Sequence, residues 1–226
     1  MSSDSISINS ELPSKSSSIS NISKYSLKKV KSKVDTGLSP NIVMKRISPL
    51  KGSGDNGTTT LPSGLVLSKS NKVFAATGIL EELIANIGIL KAKYFPAENS
   101  SSKQLFISAR LTKIQEDILS MINSMLSTPD LGSKFTNSRF GDSRKEDLLS
   151  AITAMNTTPY KGLPGQTPLE ADLYLTWTLS RRAERQIAGI KDPKTGIIPE
   201  MAVLAYNNLL NDYFLHLISH VKATSC

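Results

Sequence analysis

From Val73 onward one pattern recurs along the chain: apolar residues at three- and four-residue steps, with polar residues between them. Leu80, Leu83, Ile84, Ile87 and Leu90 carry the first run, and Ile107, Leu111, Ile114, Ile118, Met121, Ile122 and Met125 the second. A shorter run over 145–155 uses Leu148, Leu149 and Ile152. Leu175, Leu179, Ala183 and Ile187 mark a fourth, and Leu204, Leu210, Phe214, Leu217 and Val221 a fifth. An α-helix turns once in about 3.6 residues, so each run lays a stripe along one face that needs burial against other helices. The period-two alternation of a strand is nearly absent after position 70. Turn-forming residues separate the runs: Pro96 with 99–102, Pro129 with Gly132 and Gly141, Pro159 to Pro168 with its glycines, and 191–199. The pattern predicts an all-α five-helix bundle occupying residues 51–226.

Residues 1–50 have a different character. They hold fifteen serines, seven Lys and one Arg against three acids, which is more than half of the formal net charge of +8. Stretches such as SKSSSIS and KKVKSK have too little apolar surface to offset the entropy of ordering, so the segment is expected to be a disordered basic tail. Three roles stay open for it. It is Ser-rich and basic like a mitochondrial transit peptide, but it carries Asp4, Glu11 and Asp35 and uses Lys rather than Arg. A solvated arm meeting nucleic acid through residues 15–46, or an inert extension, fits as well. Localisation is read only as intracellular, mitochondrial if the transit-peptide reading holds.

Composition removes several chemistries. No run approaches the roughly 20 uninterrupted apolar residues of a membrane span. The only cysteine is Cys226, so no disulfide framework, Cys-based zinc site or CxxC pair is expected. His216 and His220 lie one helical turn apart with no third ligand nearby and read as packing or surface residues. Any chemistry must rest on charge, hydroxyls, backbone groups and a bound substrate or cofactor.

Three segments are candidates for it. Residues 52–60 read GSGDNGTTT, and glycine-permitted turns with Thr hydroxyls can cradle phosphate oxygens. Taken alone the run reads as a flexible linker, and it lacks the GK[ST] ending of a P-loop. Lys69 follows closely and adds a point charge. Arg181, Arg182 and Arg185 gather on the fourth helix, where forked guanidiniums could grip a triphosphate, braced by Glu184. Taken alone these residues also read as a solvated charged face. Asn208 and Asp212, one turn apart on the last helix, are the third candidate.

In this order the segments resemble the PduO-type ATP:cob(I)alamin adenosyltransferases. That family has a TxTGDxGTT-like loop, a lysine shortly after, a DELN helix, an LPGG turn, an ARTxxRRAER helix and a final YLNRLSD. The counterparts here are SGDNGTT at 53–59, Lys69, EELI at 81–84, LPGQ at 163–166, TWTLSRRAER at 176–185 and YNNLLND at 206–212. The likeness spans about 51–220. It implies a helical bundle assembling as a homotrimer, with ATP and Mg2+ bound between neighbouring subunits and cobalamin as the second substrate. The reaction it implies moves the 5′-deoxyadenosyl group of ATP onto cobalt(I), which is itself the nucleophile, so no catalytic side chain is assigned. Carried over by residue, Ser53, Gly54, Asp55, Thr59, Thr60 and Lys69 make the phosphate loop and its cation. Arg181, Arg182, Glu184 and Arg185 contact or orient ATP, and Asn208 hydrogen-bonds to it.

The sequence also departs from that pattern. Trp177 replaces the ART arginine, Leu209 the NRLSD arginine, Ile84 the DELN asparagine, Glu81 its aspartate, and Val66 an arginine before the loop lysine. Two readings follow: a divergent working adenosyltransferase, or a catalytically inactive descendant with a structural or nucleic-acid-associated role through its basic tail.

Overall fold

The computed structural model describes residues 54–61, 64–96, 100–127, 140–159, 162–190 and 199–224, all within the unit Ser48–Cys226. The expected disordered tail and Ser53 lie outside the described residues. Strands β1 (Thr58–Thr60) and β2 (Val66–Ser68) precede five helices: α1 (Lys72–Tyr94), α2 (Ser102–Leu126), α3 (Ser143–Met155), α4 (Pro168–Ala188) and α5 (Met201–Thr224). The five-helix architecture is the one the periodicity predicts.

The helices start where local chemistry satisfies their first amides. Asn71 Oδ1 accepts from the Val73 amide at 3.0 Å. Ser101 and Gln104 form a reciprocal capping box. Thr167 Oγ1 accepts from the Glu170 amide at 3.1 Å, with Pro168 in the first turn. Each such cap is worth about 1 kcal/mol. Leu80, Leu83, Ile87 and Leu90 of α1 are fully buried with Leu111, Ile114, Ile118, Met121 and Ile122 of α2, while Tyr206 and Phe214 bring α5 into the same core.

Two stripes run differently from the sequence reading. Leu175 and Leu149, expected inside, are half exposed. On α4 the buried line is Leu173, Thr176, Ser180, Ala183 and Ile187. Polar Thr176 and Ser180 occupy core positions, which turns the apolar Leu175 outward. On α3 Leu148, Ala151 and Ile152 are buried and Met155 packs against the same core.

One described helix, α1, is long and apolar enough to cross a membrane by length and composition (mean hydropathy 1.7), which the count of uninterrupted apolar residues did not bring out. Val73, Ile79, Leu80, Leu83, Ile87 and Leu90 of this helix are buried in the core, while its outer face carries Glu81, Glu82 and the exposed Ile89.

Contacts at three positions along α4 fix how it runs against α1. Lys93 and Tyr94 meet Asp172 (2.9 and 2.6 Å), Thr176 Oγ1 donates to Asn86 (2.5 Å), and Arg182 donates to Glu82. As numbers rise on α4 they fall on α1, so the pair is antiparallel. α5 runs back along α4 through Lys222–Glu170 (3.1 Å) and Asn211–Ser180 (2.7 Å).

The Tyr94 hydroxyl, followed by the Lys93 ammonium, holds the Asp172 carboxyl below its ordinary range. A depressed carboxyl stabilises the fold above its unfolded value and loses that contribution as pH falls through the folded one. Asp172→Asn is therefore expected to lower wild-type-relative stability at neutral pH and to narrow that gap below about pH 4. Urea unfolding of both proteins from pH 7 to pH 3 measures it; a gap independent of pH would refute this linkage.

Candidate functional site

From Gly54 onward the glycine run is a structured turn, at odds with its reading as a flexible linker. Gly54 and Gly57 have φ of +86° and +79°, where other residues lose about 1–2 kcal/mol. The Gly57 amide donates to the Gly54 carbonyl at 3.2 Å, and the Lys69 amide to the Gly57 carbonyl at 2.8 Å. Asn56 Oδ1 accepts from the Thr58 amide (3.1 Å) and hydroxyl (2.6 Å). The Lys69 ammonium folds back onto the Gly54 carbonyl at 2.7 Å. A Cβ at Gly54 would meet the Thr58 carbonyl oxygen at 2.9 Å and Lys69 Nζ at 3.3 Å, so a larger residue displaces either the turn or the lysine.

Below the turn, β1 and β2 pair antiparallel with Thr59 opposite Leu67 and Thr60 opposite Val66. Successive strand residues face opposite sides. Thr59 thus shares the side of buried Leu67, while Thr60 shares that of exposed Val66. The two threonines were expected to serve one loop together; the strand sends their hydroxyls to opposite faces. Asp55 is exposed at the turn. Leu61 and Leu67 anchor the hairpin in the core.

On α4, Arg181, Arg182 and Arg185 are all exposed. The carboxylate that braces an arginine is Glu82 of α1, which pairs with Arg182. Glu184, expected in that role, is turned to α5, where its Oε2 accepts from Asn211 Nδ2 at 2.7 Å. Arg185 donates to the Arg181 carbonyl at 3.1 Å. The Arg181 guanidinium lies 4.9 Å from the Trp177 ring centroid. Asn207 Nδ2 donates to the Ser180 carbonyl at 3.1 Å, so Asn207 and Asn211 clamp the arginine turn from behind. Asn208, on the same turn of α5, is exposed beside them. Asn211, Asn207 and Ser180 escaped the sequence reading because buried polar residues interrupt an apolar stripe rather than announce one.

Trp177 and Leu209, which stand where the resemblance has arginines, are both packed against the core. A groove of about 530 Å³ opens between Gly162, Pro164 and Gly165 of the turn before α4 and Tyr174, Leu175 and Trp177 of the helix. His216 Nδ1 meets the Thr157 hydroxyl at 3.0 Å, a packing contact between α5 and the end of α3.

The antiparallel α1–α4 pairing sets the loop and the arginines relative to each other. Lys69 lies three residues before the start of α1 and Glu82 ten residues into it, so Arg182 is about 15 Å along the axis from the N-terminal end of α1. Arg185 is about 4.5 Å nearer. The two cationic segments therefore belong to the same half of the bundle, the loop at its end and the arginines up its side.

The sequence profile described as Cobalamin adenosyltransferase matches residues 50–221. A corrinoid adenosyltransferase of Citrobacter freundii is 28% identical over 137 residues, covering 59% of this chain and 73% of its own length. One from Mycobacterium leprae is 26% identical over 172 residues, 76% of this chain and 89% of its own. Among solved structures, a variant PduO-type ATP:corrinoid adenosyltransferase from Lactobacillus reuteri, complexed with cobalamin and ATP, superposes with a TM-score of 0.64 at 24% identity. That match covers 78% of this chain and 92% of the other, and it supports the helical fold.

Proposed function

This chain is a member of the cobalamin adenosyltransferase family, and from that premise we propose that it moves the 5′-deoxyadenosyl group of ATP onto a reduced corrinoid. In that step the cobalt(I) electron pair attacks C5′ of ATP, the C5′–O bond breaks, and triphosphate leaves with its bonding electrons. Cobalt ends as alkylated cobalt(III), and no protein group needs to exchange a proton. The protein's part is to neutralise and hold the leaving triphosphate, to fix C5′ in line, and to keep water away.

The carrying observation is the pair of ordered cationic elements: Lys69 folded onto a turn that needs Gly54, and an arginine turn braced by Glu82 and clamped by Asn207 and Asn211. The loop amides and Lys69 would hold phosphate oxygens, with Mg2+ carried in on the nucleotide. Arg181, Arg182 and Arg185 would meet the triphosphate, and exposed Asn208 would hydrogen-bond to ATP. Assembly as a homotrimer would supply one subunit's loop to the next subunit's arginines and so complete the site. The Lactobacillus reuteri protein holds both cobalamin and ATP, which supports the same two ligands here.

The packing of Trp177 and Leu209 against the core favours a second reading, a catalytically inactive descendant. In that reading residues 15–46 supply a nonspecific contact to nucleic acid phosphates.

Thermal or urea unfolding with Mg-ATP separates the two. At a hundredfold excess over the dissociation constant, the first reading expects stabilisation by about 2.7 kcal/mol, with adenosylcorrinoid and triphosphate formed when cob(I)alamin is added. Unchanged stability would sink it, and binding without turnover would leave the inactive descendant.

A further inference from the structure

We propose that Trp177 is a positioning residue for nucleotide binding: its indole face carries the Arg181 guanidinium and aims it toward the triphosphate. The inference rests on the nucleotide reading above and extends it to a residue that looks, in the sequence, like a loss. Trp177 and Arg181 are one helical turn apart, so their side chains leave the same face of α4. The guanidinium carbon sits 4.9 Å from the ring centroid, within the roughly 6 Å range of a cation–π contact.

The platform is itself fixed. Tyr174 meets the Trp177 ring edge-on, with centroids 6.1 Å apart at 82°. The Tyr174 hydroxyl accepts from the Gly162 amide at 2.9 Å. Trp177 packs against the core. Contacts thus run from the turn before α4 through Tyr174 and Trp177 to Arg181. Arg181 is exposed, and an exposed arginine otherwise samples many rotamers; stacking restricts it to one side of the helix before ligand arrives. A cation–π contact draws on the charge of the guanidinium and occupies none of its N–H donors with a hydrogen-bond acceptor, so those donors can still serve phosphate oxygens. A tryptophan in place of an arginine removes one charge from this face and orders another.

Trp177 is the chain's only tryptophan, so its emission reports on the stack directly. In the ligand-free protein, Arg181→Gln is expected to change Trp177 emission, since it removes the cation from the ring. Saturating Mg-ATP should also change wild-type emission as the guanidinium engages phosphate. For affinity, Trp177→Leu keeps apolar bulk against the core without a π face, while Trp177→Phe keeps a smaller face. Trp177→Leu is expected to weaken Mg-ATP by roughly three- to tenfold, and Trp177→Phe to recover most of that. On an Arg181→Gln background Trp177→Leu should have no further effect, because the tryptophan acts only through that arginine.

Equal losses on both backgrounds, or a Trp177→Phe protein as weak as Trp177→Leu, would overturn the proposal while leaving ATP binding intact. Unchanged emission in Arg181→Gln would overturn it too. A wild-type protein that does not bind Mg-ATP at all would overturn the nucleotide reading and this inference with it.

Discussion

Replacing Asp117 by alanine is expected to destabilise the folded domain by about 3–5 kcal/mol, the range seen when one partner of a buried charge network is removed. Asp117 is 1% exposed. Its carboxylate accepts from Lys113 Nζ at 2.6 Å, from the Tyr206 hydroxyl at 2.9 Å and from the Arg144 guanidinium, which ties α2 to α5 and α3 at one point. Lys113 and Arg144 are partly exposed and can turn to solvent; Tyr206 cannot. Burial, reinforced by the Asp117 charge, pushes the Tyr206 phenol well above its ordinary value, so it stays a protonated donor. Without Asp117 that buried donor loses its acceptor, which alone costs about 1–3 kcal/mol. The cavity and the lost charge-assisted bonds supply the rest. Tyr206→Phe, which removes the donor as well, should cost less than Asp117→Ala. Urea unfolding followed by helical circular dichroism measures both, and an Asp117→Ala loss under about 1 kcal/mol would falsify the assignment of this network as a stability centre.

The number of helices was legible because the stripes on α1 and α2 are nearly pure: every residue of Leu80, Leu83, Ile87, Leu90, Leu111, Ile114 and Ile118 is buried. Where polar residues enter the core, the apolar period misleads. Thr176 and Ser180 take inward positions on α4 and Asn207 and Asn211 on α5, so Leu175, read as buried, is half exposed. Periodicity counts apolar residues and cannot foresee that a hydroxyl will find Asn86 or Asn211 across a helix interface. The hairpin escaped for another reason. Three-residue strands are too short to alternate visibly, and the positive φ of Gly54 and Gly57 reads in sequence only as glycine. At the site, the clustering of Arg181, Arg182 and Arg185 follows from helical spacing alone. Their bracing does not, because Glu82 is a hundred residues away in sequence and reaches Arg182 only through the antiparallel packing of α1 on α4.

That bracing separates binding from stability, and Arg182→Ala is the substitution that tests the separation. The Arg182–Glu82 pair is solvent-exposed on both sides, 48% and 59%, and exposed pairs contribute about 0–1 kcal/mol. Ligand-free Arg182→Ala is therefore expected to unfold within about 1 kcal/mol of wild type, in contrast to Asp117→Ala. Its affinity for Mg-ATP should fall much further. One charge-assisted contact to phosphate is worth about 1.5–3 kcal/mol, which is roughly ten- to a hundredfold in the dissociation constant. Glu82→Gln serves as the companion: it keeps a hydrogen-bond acceptor beside Arg182 without the charge, and it should change ligand-free stability as little. Calorimetric titration with Mg-ATP, beside urea unfolding without it, reads both quantities. If Arg182→Ala binds Mg-ATP as tightly as wild type, the arginine turn is a solvated surface and the triphosphate must be held elsewhere. If it loses affinity and stability together, Arg182 supports the α1–α4 packing and its part in binding is indirect.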